Sequence, residues 1–374
     1  MRSTAAIARG KPSRARLERP LRRSGVLLAL LCLGGCSLVG ADVDELFGGA
    51  TCEGDCEDAG ADSTTDARSC DPIKPPSRPS GMDSGGPERS YVLRDTLIDQ
   101  SLDRWRTLGF DLDDRCSLPP DPDVECLPPA GTTPETDGER GIDNAFGHRV
   151  ASTLVGLDAN LEKRIRKDQE AGRGGILVNI QGYNGERDDP SVDVFIAQTI
   201  YAVPHGENGK SQPHWDGRDR FYCEDSAFDG SPDAPLVRND NAYVRDGWLV
   251  VRLPDRADIT FNIDDGAVNF RFISASIVGR FSEDGRFLED VVLSGRWALS
   301  DIALAADQLG ICEGTVERTF LDNSLASIAD VRGTPGTGGP NALCDAVSAS
   351  LGFRGYRGFF EGLAVTEDVP TGCP

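Results

Sequence analysis

The chain has 374 residues and a formal net charge of −22. Residues 1–35 carry eight Lys or Arg and one Glu, so the remainder has 31 basic and 60 acidic residues and a net charge of −29. A net negative charge of this size keeps a protein soluble. It argues against binding to nucleic acid or to anionic lipid surfaces. It suits a solvated domain that takes up divalent cations.

The first residues have the order of an export signal. Basic residues between Arg14 and Arg23 precede an apolar run, Val26 to Leu33, which is too short to span a bilayer core of roughly 30 Å. The run closes on Leu33-Gly34-Gly35-Cys36, which resembles the lipobox of bacterial lipoproteins. This resemblance implies that Cys36 becomes the first mature residue and carries acyl chains, which anchor the protein to a membrane. An ordinary cleaved signal with an incidental cysteine is the alternative.

The same resemblance implies a lipid-anchored protein of the bacterial cell envelope. By analogy with lipoprotein sorting, Ser37 after the cysteine favours the outer membrane over the inner one. From there to about Arg89 the chain is acidic and rich in Gly and Pro, a composition typical of flexible segments. We therefore expect a signal peptide at residues 1–35, a disordered tether at 36–89 and a single globular domain at 90–374.

Eleven cysteines are present, and nine remain after Cys32 in the signal and the lipidated Cys36 are set aside. Export exposes a chain to oxidising conditions, so disulfides are the expected state of these thiols. Cys116 and Cys126 enclose a short loop rich in Pro and Asp, and we predict that they pair. A second predicted pair is Cys312 with Cys344. Because nine is odd, at least one thiol stays free or pairs between chains.

Helical periodicity is clearest early in the domain. Apolar residues from Phe146 to Ile165 recur at spacings of three and four, which predicts one long amphipathic helix from Asp143 to about Ala171. Three short helices are predicted towards the C-terminus. Their expected ranges are Ala298–Leu309, Val316–Ala329 and Ala342–Ser350.

Between these helices the apolar residues recur at every second position, the period of a β-strand. Asp-Gly turns separate several of the short strands, as in antiparallel hairpins. The predicted strands and hairpins are Ile176–Gln181, Val192–Ile196, Tyr243–Leu253, Ile259–Ile263, Asn269–Phe281 and Phe287–Trp297. The predicted fold class is α+β, with an antiparallel β-sandwich or a curved, barrel-like sheet beside the long helix.

A loop before the long helix is dense in carboxylates. Asp111-Leu112-Asp113-Asp114 places acidic side chains close together, as loops that bind hard cations do. Asp143 and Asn144 follow within the same stretch of about 35 residues. These five residues are the predicted ligands of a Ca²⁺ ion, although their spacing is not that of an EF-hand. The alternative is a solvated loop in which Asp serves turn formation.

A binding surface is the second candidate site. Trp215, Tyr222 and Trp248 lie in or beside a long irregular stretch between predicted strands, and aromatic rings in such a loop suit stacking on a sugar. The alternative is a lid over the sheet. His205 and His214 in the same stretch offer a further, weaker candidate for a metal site.

No catalytic motif of a serine hydrolase or a zinc peptidase is found in the sequence. Five blocks resemble a family of uncharacterised secreted lipoproteins from soil bacteria with large genomes. The blocks are Gly109–Asp113, Gly141–Gly147 with its Gly-Ile-Asp-Asn core, Ile180–Asn184, Leu293–Arg296 and Cys344–Ser348. The resemblance implies no activity, and it indicates that residues 90–374 form one module.

The leading hypothesis is a non-catalytic binding or structural module of the cell envelope, with calcium as its candidate cofactor and an envelope protein or a glycan as its candidate partner. The rival hypothesis is a secreted hydrolase that cleaves glycans through paired carboxylates. A deep cleft with two facing carboxylates would favour the hydrolase.

Overall fold

The structure is a computed structural model that describes residues 71–82, 85–120, 122–151, 159–263, 266–308, 310–365 and 372–373. The predicted signal peptide, the predicted lipidation site at Cys36 and most of the predicted tether lie outside these residues. In the described part, no helix is both long enough and apolar enough to cross a membrane.

Ten strands are described, and eight of them close into a barrel-like sheet. Their bounds are β1 (Arg89–Leu97), β2 (Ile176–Gln181), β3 (Asp189–Val203), β4 (Arg220–Glu224), β5 (Arg238–Arg245), β6 (Trp248–Arg252), β7 (Arg256–Ile263), β8 (Gly266–Phe281), β9 (Phe287–Ala298) and β10 (Ala346–Ala364). The closed sheet runs β1-β2-β3-β5-β6-β8-β9-β10, and β10 pairs back onto β1. All of these pairings are antiparallel, so the prediction of a barrel-like antiparallel sheet is confirmed.

The two remaining strands extend the long ones beyond the barrel. Strand β4 pairs with the end of β3 in antiparallel fashion and with the end of β10 in parallel fashion, whereas β7 pairs with the first half of β8. Strand β4 lies within a stretch that we predicted to be irregular. Its five residues alternate apolar and polar too briefly to be distinguished from a loop.

The core fills the barrel with every second side chain of its strands. Val178 and Ile180 of β2 pack in one buried cluster with Leu93 of β1 and with Leu351 and Phe353 of β10. Residues at every second position thus face this cluster, as expected from the alternation of side chains along a strand, whereas Leu177 of β2 and Val92 of β1 belong to a second buried cluster on the other face.

The structure does not show the predicted single long helix between Asp143 and Ala171. It has a π-helical segment at Phe146–Ala151 and an α-helix, α1, at Leu161–Glu170, with a turn at residues 159–160 between them. Residues 152–158 lie outside the described part. Asn160 favours turns because its side chain competes for backbone hydrogen bonds, and the regular apolar spacing hid this signal.

Two of the three predicted C-terminal helices are confirmed as α2 (Leu299–Gln308) and α3 (Val316–Ser327). The third prediction, Ala342–Ser350, is wrong, because this stretch enters β10, the longest strand. Ala, Ser and Gly dominate its first half and carry little strand preference of their own. Pairing with β9 over Ala346 to Tyr356 imposes the extended conformation.

Both predicted disulfide pairings are wrong, although all four cysteines are oxidised. Cys126 bonds to Cys344 and Cys312 bonds to Cys373, while Cys116 is disulfide-bonded to a residue other than Cys126. A short bridge between Leu127 and Leu343 brings Cys126 and Cys344 within a Cα–Cα distance of 5.2 Å. Such a contact between distant segments leaves no local signal in the sequence. Cys223 is a buried free thiol.

The end of the predicted tether is bound to the domain. Ile73 exchanges backbone hydrogen bonds with Arg140 and Asp111, and the Tyr243 hydroxyl donates to the carbonyl of Pro76. Residues 71–82 therefore form an extended strap across the barrel, and the prediction of a free spacer is wrong for this part.

Candidate metal centre

Three of the five predicted calcium ligands meet in the structure. Asp111, Asp113 and Asp143 each contribute a carboxylate oxygen, and these oxygens lie within 4.8 Å of one another. Asp111 and Asp143 are buried and Asp113 is half-buried. The Oδ2 atom of Asp111 is buried and accepts no hydrogen bond, which is costly for a polar atom without a partner.

The backbone conformation at Gly109 allows the loop that carries Asp111 and Asp113 to lie close to the core. Gly109, at the start of the loop, has a φ of +139°, and a Cβ there would lie 2.6 Å from the hydroxyl of Ser350 in β10. Asp111 Oδ1 then accepts hydrogen bonds from the backbone amides of Asp113 (3.1 Å) and Asp114 (2.7 Å), an Asx turn. The turn folds Asp113 back towards Asp111.

Asp143 joins the same loop from the other side. Its backbone amide donates to the carbonyl of Phe110, and its Oδ2 accepts a 2.6 Å hydrogen bond from the backbone amide of Leu112. The carboxylate of Asp143 is thereby fixed beside Asp111 and Asp113 while its second oxygen, Oδ1, accepts no hydrogen bond in the described part of the chain.

The other two predicted ligands have different roles. Asp114 is exposed and forms a 2.7 Å ion pair with Lys74, which holds the pKa of this carboxyl below its usual range. The Asn144 amide is engaged with neighbouring groups in the core. It donates to Gln100 and to the carbonyl of Leu108, and it accepts from the backbone amide of Ser350. The structure therefore does not place Asp114 or Asn144 as ligands.

Two further acidic residues, which were not among the predicted ligands, lie beside Asp143. Asp137 and Asp330 line a small cavity together with Asp143 and Glu135. The volume of this cavity is about 10 Å³, enough for roughly one water molecule. Asp330 precedes β10 and lies far along the chain, so it left no signal beside the Asp111 loop.

Burial and mutual repulsion favour the protonated forms of these carboxyls when no cation is bound. Burial raises the pKa of Asp137 and of Asp330 to about 7, and neighbouring carboxylates add to both shifts. Burial likewise raises the pKa of Asp113 to about 6, and it raises the pKa of Asp143 well above the usual range. A bound cation would favour the ionised forms.

A buried ion pair lies next to the loop that carries Asp111 and Asp113. Arg296 of β9 is 2% exposed and forms a 2.7 Å ion pair with Glu125. The same guanidinium donates to the carbonyl oxygens of Leu112 and Arg332. Arg296 therefore connects the barrel wall with the backbone of the acidic loop.

The three aromatic residues of the predicted binding surface do not come together. Trp215 packs against Phe221 and Tyr356, and Tyr222 stacks on Tyr201 at a centroid distance of 4.6 Å.

Trp248 packs against another cluster, formed by Phe110, Tyr243, Val250 and Val278. Each of the three rings thus packs against different aromatic or apolar partners, and no contact joins them to one another among the described residues. Among the described residues, neither His205 nor His214 belongs to a group that could hold a metal ion.

Comparison of the chain with protein-family models, with curated proteins and with solved structures finds no match. The resemblance of the five sequence blocks to secreted lipoproteins therefore stays a prediction.

Proposed function

We propose that this protein is a lipid-anchored envelope protein whose domain is a non-catalytic binding or structural module stabilised by Ca²⁺. The ion would be held by Asp111, Asp113 and Asp143. The observation that carries this proposal is the approach of three carboxylates to within 4.8 Å at a largely buried position, with the Oδ2 of Asp111 lacking any donor. Ca²⁺ prefers carboxylate and carbonyl oxygens, and water can supply the remaining ligands.

The disulfides of the domain support an exported location. The described part of the chain holds the disulfides Cys126–Cys344 and Cys312–Cys373, which persist in oxidising compartments. Extracellular calcium is also abundant enough to occupy sites of modest affinity, such as those of extracellular modules with a Kd of about 10⁻⁴–10⁻³ M.

The cavity size argues against the hydrolase alternative at this place. Glycosidases need a cleft that admits a sugar ring between two carboxylates. Here the carboxylates surround a space for roughly one water molecule. The same group of carboxylates is well suited to an ion.

Calcium dependence of the thermal unfolding tests the proposal. A ligand at a free concentration of 100 times its Kd stabilises the folded state by about 2.7 kcal/mol. This raises the Tm of a domain of this size by roughly 5–10 °C. We expect this rise when CaCl₂ is added to chelator-treated wild-type protein at neutral pH. Asp113→Asn should lose the rise, because it removes a charged ligand.

Asp114→Asn is the matched control, since Asp114 lies next to Asp113 but faces Lys74. This variant should keep the full calcium response. A wild-type Tm that does not change between chelator and millimolar calcium would contradict the proposal.

A further inference from the structure

A groove with a volume of about 280 Å³ lies between helix α2 and the hairpin of β7 and β8. On the helix side, Asp301, Leu304 and Ala305 line it, because positions three and four apart lie on one face of a helix. On the hairpin side, Asp258 of β7 and Arg271 of β8 lie opposite each other in the two strands and line it together. None of these residues belongs to the proposed calcium site, so the groove is a separate feature.

The groove has a buried floor and an exposed rim. Asp301 and Ala305 are each 4% exposed, whereas Leu304 is 53% exposed. Asp301 and Ala305 therefore form the floor, and Leu304 forms part of the rim. A charged side chain and an apolar one thus lie side by side at the inner end of the groove.

The floor carboxylate lacks a hydrogen-bond donor. Oδ2 of Asp301 is buried and accepts no hydrogen bond among the described residues. Its Oδ1 lies 3.7 Å from Nη1 of Arg271, which is too far for a hydrogen bond. A buried carboxylate oxygen without a donor is costly, and a donor that enters the groove would remove this cost.

The other two carboxylates of the groove are engaged by arginine side chains. Asp258 accepts hydrogen bonds of 2.7 and 3.1 Å from Arg271, and Asp307 accepts one of 2.6 Å from Arg318. Asp301 is therefore the carboxylate that has a place for a further partner. Three carboxylates and a single guanidinium line the groove, so its charge favours a cationic ligand.

We propose that this groove binds a primary ammonium group carried on a short aliphatic chain. The ammonium would donate to Asp301, and the chain would lie along Ala305 and Leu304. An ammonium is a compact head with three N–H donors, and a carboxylate holds it through a charge-assisted hydrogen bond. Ligand pockets usually measure roughly 300–1,000 Å³, so this groove suits a small amine better than a sugar chain. The proposal does not depend on the calcium site.

A metal ion fits the groove less well than an organic cation. Among the described residues, Asp258, Asp301 and Asp307 do not form a group close enough to share an ion, unlike the carboxylates of the proposed calcium site. Leu304 and Ala305 offer no side-chain ligand to an ion. Their apolar surface does suit an aliphatic chain whose charged end reaches a polar partner, as lysine side chains do in proteins.

Titration with matched ligands tests the proposal. Full-length protein in excess CaCl₂ at neutral pH is titrated with n-pentylamine and with n-pentanol, and binding is followed by ligand-observed NMR. The alcohol has the same chain but no charge. We expect saturable binding of pentylamine, and binding of pentanol that is weaker by about tenfold or more, because the charge-assisted hydrogen bond is lost.

A second ammonium ligand distinguishes two sources of this chemistry. Nα-acetyl-lysine N-methylamide presents the ammonium as a polypeptide would. Tighter binding of this ligand than of pentylamine would support a lysine side chain of a partner protein as the occupant. Tighter binding of pentylamine would support a free amine.

A single substitution tests the role of the floor carboxylate. Asp301→Asn keeps the shape of the side chain and removes its charge, so we expect it to bind pentylamine more weakly by about tenfold or more. Asp103→Asn is the matched control, because this exposed carboxylate contacts Arg106 outside the groove. Its affinity for pentylamine should equal that of the wild type.

Three results would overturn the proposal. The first is the absence of saturable binding of either ammonium ligand to the wild type, and the second is equal affinity for pentylamine and pentanol. The third is unchanged pentylamine binding in a folded Asp301→Asn variant. The first two need no variant, so the test remains decisive if the substitution at Asp301 prevents folding.

Discussion

Arg296 is among the largest fully buried side chains of the described structure, and its charge is matched by Glu125 alone among the carboxylates within 4.0 Å. A buried ion pair contributes little net stability compared with an apolar pair of the same shape, because both charges lose their hydration. Removing one partner is different, since the other charge stays buried without compensation. The cluster of carboxylates nearby makes an unpaired Glu125 more costly still.

We therefore predict that Arg296→Met destabilises the domain by about 3–5 kcal/mol. Urea denaturation followed by tryptophan fluorescence would measure the loss. The double variant Arg296→Met with Glu125→Gln should recover a large part of it, because neither member of the pair then leaves a charge without its partner. Arg106→Met removes a partner of the exposed pair with Asp103 and should cost at most about 1 kcal/mol. Equal losses for the two single variants would contradict this account.

At the same scale, the sequence predicted only part of the acidic site. Asp111, Asp113 and Asp143 were identified because closely spaced carboxylates in a loop are a recognisable pattern. Asp114 and Asn144 fit the same pattern, yet Asp114 forms an ion pair with Lys74 and the Asn144 amide is hydrogen-bonded within the core. Which oxygens of such a group stay free depends on neighbours from distant segments, and spacing does not encode those neighbours.

Among the elements, β10 connects most of the features of the site. It pairs with β1, β4 and β9, it carries Ser348 next to Asp330, and it begins just after Cys344. The disulfide from Cys344 to Cys126 fixes the far end of the acidic loop against this strand. A cross-link over so long a separation removes much conformational freedom from the unfolded chain.

We predict that Cys126→Ser with Cys344→Ser lowers the free energy of unfolding by about 2–5 kcal/mol and weakens calcium binding. The calcium effect is expected because Cys126 lies in the stretch between Asp113 and Asp143, and this stretch would lose its covalent attachment beside β10. Urea denaturation and a calcium titration of the same protein provide both readings. Cys312→Ser with Cys373→Ser is the matched control, which should leave calcium affinity unchanged because that bridge lies elsewhere. Non-reducing peptide mapping that links Cys126 to Cys116 would refute the pairing.

The strands also show which sequence patterns are enough to predict an element. Strands β2, β8 and β9 were predicted because large apolar residues alternate with polar ones and Gly-containing turns separate them. The sequence predicts a helix over Ala342–Ser350, which includes the first five residues of β10, since Ala favours a helix and has little preference for a strand. Pairing partners decide its conformation, and those partners lie far away in the chain.

At the scale of the whole molecule, the closed sheet and the acidic loop form one folded body. The strap at residues 71–82 is bound to the surface of this body. Residues 36–374 have a net charge of −29, so this part of the chain would be repelled by anionic lipid headgroups. Attachment to a membrane would then depend on the acyl chains that we propose for Cys36 and not on the protein surface.

This dependence gives a test of the proposed anchor. Cys36→Ser removes the thiol that would be acylated, and we expect the protein to move from the membrane fraction to the soluble fraction after cell disruption and ultracentrifugation. Cys32→Ser is the matched control, because this cysteine lies four positions earlier in the same apolar run and should not affect anchoring. Radiolabelled palmitate should enter the wild type and Cys32→Ser, but not Cys36→Ser. Full membrane retention of Cys36→Ser would show that something other than a lipid on this residue holds the protein there, since a body so negative has no electrostatic reason to stay.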